Sequence, residues 1–131
     1  MRFLPTLALA AALPLAVAPL VVPTAHAATP SETTPRQAVT DLKPLLARAA
    51  AEGSARGTLT GPGAQAIARR FQTDAPIEID VRRLQRLPQP GCGRLEVTTR
   101  QRDVNQAGKR GDQEMVYQLS YCAHGRFPEE R

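Results

Sequence analysis

The chain is 131 residues long, with 17 basic and 12 acidic side chains for a formal net charge of +5, two cysteines and no tryptophan. That size suits one small domain and excludes a multidomain enzyme, and the composition excludes a collagen-like or coiled-coil fibre. Beyond residue 27 no apolar run approaches the roughly 20 residues a membrane-spanning helix needs, so no stable membrane anchor is expected there.

Met1-Arg2-Phe3 is a short basic start, Leu4 to Val22 is apolar, and Ala25-His26-Ala27 places small residues around a larger one, as a signal peptidase requires. Pro5, Pro14, Pro19 and Pro23 disfavour a permanent helix. Residues 1–27 are therefore read as a signal peptide cleaved after Ala27, and the protein as periplasmic or secreted. No cysteine near the cleavage point and no twin-arginine pair suggests a lipid anchor or a Tat route. Cleavage leaves 104 residues and a net charge of +4. Ala28 to Thr34 is small and polar and reads as a disordered lead-in, followed by a single small domain over 35–131.

The first helix is expected to begin after Thr34 as cap with Pro35 in its first turn, placing Val39, Leu42, Leu45, Leu46 and Ala49 near one face. Pro44 interrupts that pattern, either kinking the helix or delaying its start to Thr40, and Gly53 ends it. Glu52 to Gly63, with four glycines, reads as a loop. Pro62 to Gln72 is the second helix, with Thr60 as cap and Ala64, Ile67 and Phe71 on one face. Ile77, Ile79 and Val81 then alternate with Glu78, Asp80 and Arg82 as a strand. Pro88-Gln89-Pro90-Gly91 is a turn, Arg94 to Arg102 a second strand, Asn105 to Asp112 a polar loop, and Gln113 to Cys122 the last strand.

In an oxidising compartment Cys92 and Cys122 are most simply one disulfide. Bridging two residues 30 apart in sequence stabilises by about 3–4 kcal/mol on the chain-entropy argument, a large share for a thin core built from the 21 large apolar residues past residue 27. The cysteines also predict a register. If Cys92 faces Cys122 in an antiparallel hairpin, Leu95 meets Leu119, Val97 meets Tyr117 and Thr99 meets Met115 on one face, with Arg94, Glu96 and Thr98 opposite Ser120, Gln118 and Val116 on the other. A slip of one residue would scatter both sets. The expected fold is α+β: two N-terminal helices packed on one face of a three-stranded antiparallel meander, stapled by one disulfide.

Catalytic constellations are scarce. Past residue 27 the one histidine is His124, and a Ser–His–Asp site would have to draw on Ser120 with Asp103 or Asp112, a spacing that does not argue for it. Zinc wants three or four ligands, and the disulfide consumes the thiolates. Glu78, Asp80 and Glu96 could serve as paired carboxylates in a hydrolase, but Arg82, Arg94 and Arg100 share their surface, and a charge-paired wet face accounts for all six. Gly61-Pro62-Gly63 lacks the lysine and spacing of a phosphate loop. No cofactor is expected. The compositional lead is arginine, 14 of the 16 basic residues past residue 27. Arg82, Arg83, Arg86 and Arg94 cluster near the first sheet turn as a partner- or anion-binding surface, since guanidinium forks suit carboxylates and phosphates. The four aromatics past residue 27, mostly core-like, make no stacking platform, so nucleic acid is disfavoured.

Gly91-Cys92-Gly93-Arg94-Leu95, with Tyr121-Cys122-Ala123-His124-Gly125-Arg126-Phe127-Pro128, resembles uncharacterised small exported proteins of bacterial conjugative-transfer and secretion gene sets. The likeness covers about forty residues at structural positions and implies an envelope accessory role, with no site assignment. The chain is accordingly read as a non-enzymatic exported binding or accessory protein whose partner is an envelope protein or an acidic envelope component. The alternatives are a small secreted inhibitor acting through the Pro88–Gly91 turn or the Asn105–Asp112 loop, and, third, a small exported hydrolase. Expressed in a bacterial host, the protein is expected in the periplasmic or culture fraction with Ala28 as its first residue by intact mass; a full-length chain held in the membrane fraction would contradict the export assignment.

Overall fold

A computed structural model describes residues 35–130. The signal peptide assigned to 1–27 and the lead-in assigned to 28–34 lie outside the described residues. From Gln37 onward the elements are β1 (Gln37–Val39), α1 (Lys43–Glu52), β2 (Ser54–Leu59), α2 (Pro62–Phe71), β3 (Ile77–Arg86), β4 (Cys92–Gln106) and β5 (Lys109–Cys122). The strands form one sheet in chain order, β1-β2-β3-β4-β5, with β1 and β2 parallel and the other neighbours antiparallel. The α+β class and the Cys92–Cys122 disulfide are present. The three-stranded antiparallel meander with two leading helices is not: the sheet is mixed and five-stranded, and the helices alternate with its first strands.

Both missed strands have a local physical cause. Pro44 lies in the first turn of α1, where its missing N–H costs nothing, and Asp41 Oδ1 accepts the Lys43 N–H at 2.7 Å. The segment before it is thereby released to pair as β1. Its Val39 carbonyl accepts both the amide (2.7 Å) and the hydroxyl (3.2 Å) of Thr60, so Thr60 ties β1 to β2 and does not cap α2. In the glycine-bearing stretch expected as a loop, Ala55, Gly57 and Leu59 alternate inward against Arg56 and Thr58. α1 comes so close to this strand that a Cβ at residue 57 would stand 2.6 Å from Leu45 Cδ1 and 2.9 Å from the Gln37 carbonyl oxygen. Glycine here is what the approach of the helix demands.

α1 buries Leu45, Leu46, Ala49 and Ala50 against Val39, Ala55, Ile77, Ile79, Val81, Leu95, Val97 and Tyr121. Its C-terminus is closed by Gly53 in the left-handed region (φ 101°), whose N–H reaches the Ala49 carbonyl at 2.8 Å. The Arg83 guanidinium adds a donor to the Ala50 carbonyl at 2.7 Å, a cation at the negative helix end. α2 has no buried residue and leans its Ile67 side on the core. Arg110 from the start of β5 donates through both terminal nitrogens to the Gln72 carbonyl at its C-terminus (3.0 and 2.8 Å).

The β4–β5 ladder runs in the register that the cysteines predict, Cys92 opposite Cys122, Leu95 opposite Leu119 and Val97 opposite Tyr117, continuing to Gln101 opposite Gln113. The register then slips by one residue around Asp103 (φ 52°), and pairing resumes from Val104–Gly111 to Gln106–Lys109. The expected Asn105–Asp112 loop is therefore a paired extension of the hairpin. Its turn is two residues, Ala107 and Gly108, both at positive φ (51° and 82°) as tight hairpins require.

Gly57→Ala is expected to lower the urea midpoint by an amount equivalent to about 1–3 kcal/mol, the usual cost of overpacking. Gly63→Ala, whose added methyl meets nothing within 4 Å, is expected to leave the midpoint unchanged or slightly raised.

Candidate functional site

The helices cover one face of the sheet. On the other, the outward residues of successive strands meet in register: Arg56 and Thr58 on β2, Glu78, Asp80 and Arg82 on β3, Arg94, Glu96, Thr98 and Arg100 on β4, and Glu114, Val116, Gln118 and Ser120 on β5. Alternation alone puts them there, because the opposite residues of each strand are claimed by the core.

Asp80 organises this face. Arg36, just before β1, grips it with a two-pronged contact, Nη1 to Oδ1 at 2.9 Å and Nη2 to Oδ2 at 3.3 Å. Arg56 Nε donates to Oδ1 at 3.1 Å and Arg100 Nη1 to Oδ2 at 2.8 Å. Partial burial pushes the Asp80 carboxyl upward, but the hydrogen bonds and charges of Arg36 and Arg56 outweigh it and hold the group below the ordinary aspartate value of 3.8. The network spreads outward, with Arg36 also 3.6 Å from Glu78 and Arg100 Nε bound to Glu114 at 2.6 Å, and a separate pair on the same face joins Arg82 Nε to Glu96 at 2.7 Å. Beside it runs a groove of about 640 Å³ lined by Arg48, Arg56, Asp80, Arg82, Glu96 and Arg100, among others, passing the part of β2 with which short β1 does not pair.

The expected arginine surface is divided between faces. Arg82 and Arg94 share the open face, Arg94 two residues along β4 from Glu96, the partner of Arg82. Arg83 is turned to the helix side and spent on the α1 C-terminus, where its side chain fills the space above Gly93. Arg86 stands opposite Gly93, beyond a bulge at Leu84 that shifts the β3–β4 register. The residues that build the centre around Asp80, namely Arg36, Arg56 and Arg100, include two from segments read as helix and loop. Alternation across Ala55-Arg56-Gly57-Thr58-Leu59 was the signal that could have found Arg56.

The other chemical candidates do not assemble. Ser120 lies on β5 opposite Arg94, eight strand residues from Asp112, or about 27 Å along an extended strand. His124 is exposed in the turn after β5. Among the described residues no cluster of three or more histidine, cysteine or acidic side chains is placed to hold a metal ion. Glu78, Asp80 and Glu96 share a face as expected, and each is held by an arginine.

No family model matches the chain, and no similar curated protein or solved structure was found.

Because its folded-state pKa is depressed, the stabilisation that Asp80 provides is complete above the unfolded aspartate value and is lost as pH falls through the folded one. Asp80→Asn is expected to cost about 1–3 kcal/mol at pH 7, the range for hydrogen bonds to a charged group. The gap to the parent should narrow below about pH 4. Denaturant titrations at several pH values check this, and a gap that widens on acidification would refute the assignment.

Proposed function

We propose that this protein is an exported, non-catalytic binding protein of the bacterial envelope, and that it takes an acidic partner on the open face of its sheet. The observation that carries the reading is the state of that face. Its carboxylates are engaged by guanidinium groups, which suits structural ion pairs better than a free general base. Several cations there retain donors to offer. Among the described residues, Arg82 uses only Nε on Glu96 with its side chain 68% exposed, Arg100 leaves one terminal nitrogen outside its contacts to Asp80 and Glu114, and Arg94 makes no ion pair. A planar guanidinium with an unused edge donates to a carboxylate or phosphate oxygen in a defined direction.

The A-x-A signal pattern and the disulfide support export, since such bridges persist in oxidising compartments. The resemblance of the cysteine-flanking segments to conjugative-transfer and secretion proteins supports an accessory role beside an envelope assembly. Binding of the purified oxidised protein to isolated envelope fractions is expected to be salt-sensitive. It should weaken roughly ten-fold in an Arg82→Glu/Arg94→Glu double variant, as when charged interface contacts are reversed. Undiminished binding by the double variant would sink this reading.

A further inference from the structure

The two edges of the sheet are unlike. Among the described residues, β1 ends one side with three residues, whereas β5 ends the other with fourteen and has β4 as its single neighbour. The direction of the β5 amides follows from the disulfide pair. Cys92 N–H donates to the Gln89 carbonyl at 3.2 Å and Cys122 N–H to the Arg126 carbonyl at 2.9 Å, so the two cysteines face each other without exchanging ladder bonds. Alternation along an antiparallel ladder then turns the N–H and C=O groups of Ser120, Gln118, Val116 and Glu114 away from β4, toward the open side.

That open stretch has defined ends. Past Ser120 the chain folds back through the Cys122–Arg126 bond and the Tyr121–Phe127 edge-to-face contact. Before Glu114 the strand is charged at Lys109, Arg110 and Asp112. Between them, Glu114 to Ser120 contains no proline, no glycine and one charge, and that charge is held by Arg100. Met115 and Val116 are 58% and 51% exposed, and Met115 also lines an apolar cleft of about 360 Å³ with Ile67 and Phe71 of α2. Solvent-exposed sheet edges are ordinarily blunted by charge, proline or a bulge, and this seven-residue stretch has none of these free to act.

We propose that the β5 edge is the interface with a second copy of this chain, paired antiparallel about Tyr117. The stretch is self-complementary in that register. Tyr117 meets Tyr117 of the partner subunit, Met115 meets Leu119 of the partner subunit, Val116 meets Gln118 of the partner subunit, and Glu114 meets Ser120 of the partner subunit. Three apolar pairs fall on the helix-bearing face, Met115–Leu119 twice and Tyr117 once, and no like charges oppose each other. Residues with outward amides meet residues with outward amides, so the ladder bonds can form. Because directly paired residues share a face, the two open faces lie on the same side of a ten-stranded sheet, presenting their arginines together.

Sedimentation or light scattering of the mature oxidised protein is expected to show a monomer–dimer equilibrium in the micromolar range, as befits a small interface. Val116→Pro removes an outward N–H and leaves the β4 ladder intact; with two bonds lost per dimer, its dissociation constant should rise about ten-fold. If that variant fails to fold by circular dichroism, Met115→Lys at an already exposed position carries the test and should also weaken the dimer. Under mild oxidation Y117C should cross-link into a covalent dimer and V116C should not. A monomer at every concentration, a dimer indifferent to the folded variants, or cross-linking at residue 116 in place of 117 would each overturn the proposal.

Discussion

One apolar face and one helix to close it define this domain. α1 lies across β2, β3, β4 and β5, and its seat is fixed at three points: Leu45 in the space above Gly57, the left-handed Gly53 at its end, and the Arg83 guanidinium on the Ala50 carbonyl. In a chain this small the buried surface is limited, so the fit of one helix matters more than it would in a larger core. Gly93 belongs to the same device. A methyl there would stand 2.8 Å from Arg83 Cδ, so the path of the arginine to the helix end depends on a residue without a side chain. The second helix is held differently, by polar contacts at its end and a partly buried apolar side, and contributes less to the closure.

With the apolar face closed, the opposite face, on which Val116 is the large apolar residue of β5, is organised mainly by charge. Surface ion pairs are individually weak. Asp80 departs from that rule because three guanidinium groups from three parts of the chain converge on one partly buried carboxylate, joining the lead into β1 to β2, β3 and β4. The bulge at Leu84 has a consequence for the same face. By inserting one residue it gives Arg86 the opposite sense from the one that simple alternation after Arg82 would give, which separates it from Arg82 and Arg94.

How much of this was legible in the sequence can be followed residue by residue. The β4–β5 register was readable because two independent features, a cysteine pair and an alternating apolar set, agreed on it. The α2 helix was readable from Pro62 and the Ile67–Phe71 spacing, and the charge-paired character of the open face from Glu78, Asp80 and Arg100 on alternating positions. β2 was hidden because its inward residues are Ala55, Gly57 and Leu59: the helix packs against small side chains, and small side chains resemble a loop. β1 was hidden because Val39 fits a helical period as well as a strand one, and only the placement of Pro44 separates the two. The hairpin tip was hidden because Ala107 takes a left-handed conformation that favours glycine or asparagine. At β2 the packing of the helix overrode a local preference, whereas at β1 and the hairpin tip the local signals themselves pointed two ways.

The brevity of β1 bears on how the domain breathes. It contributes three ladder positions, on one side only, whereas every other strand pairs over at least six. Beyond them its attachment rests on the Val39 carbonyl accepting from Thr60 and on the Arg36 grip. Opening it therefore exposes little apolar surface and breaks few hydrogen bonds, so its amides exchange with solvent through a local excursion while β3, β4 and β5 remain shut. The same excursion withdraws Arg36 from Asp80. The first strand of the domain and the electrostatic centre of its open face thus loosen together, as one cooperative unit of low local stability.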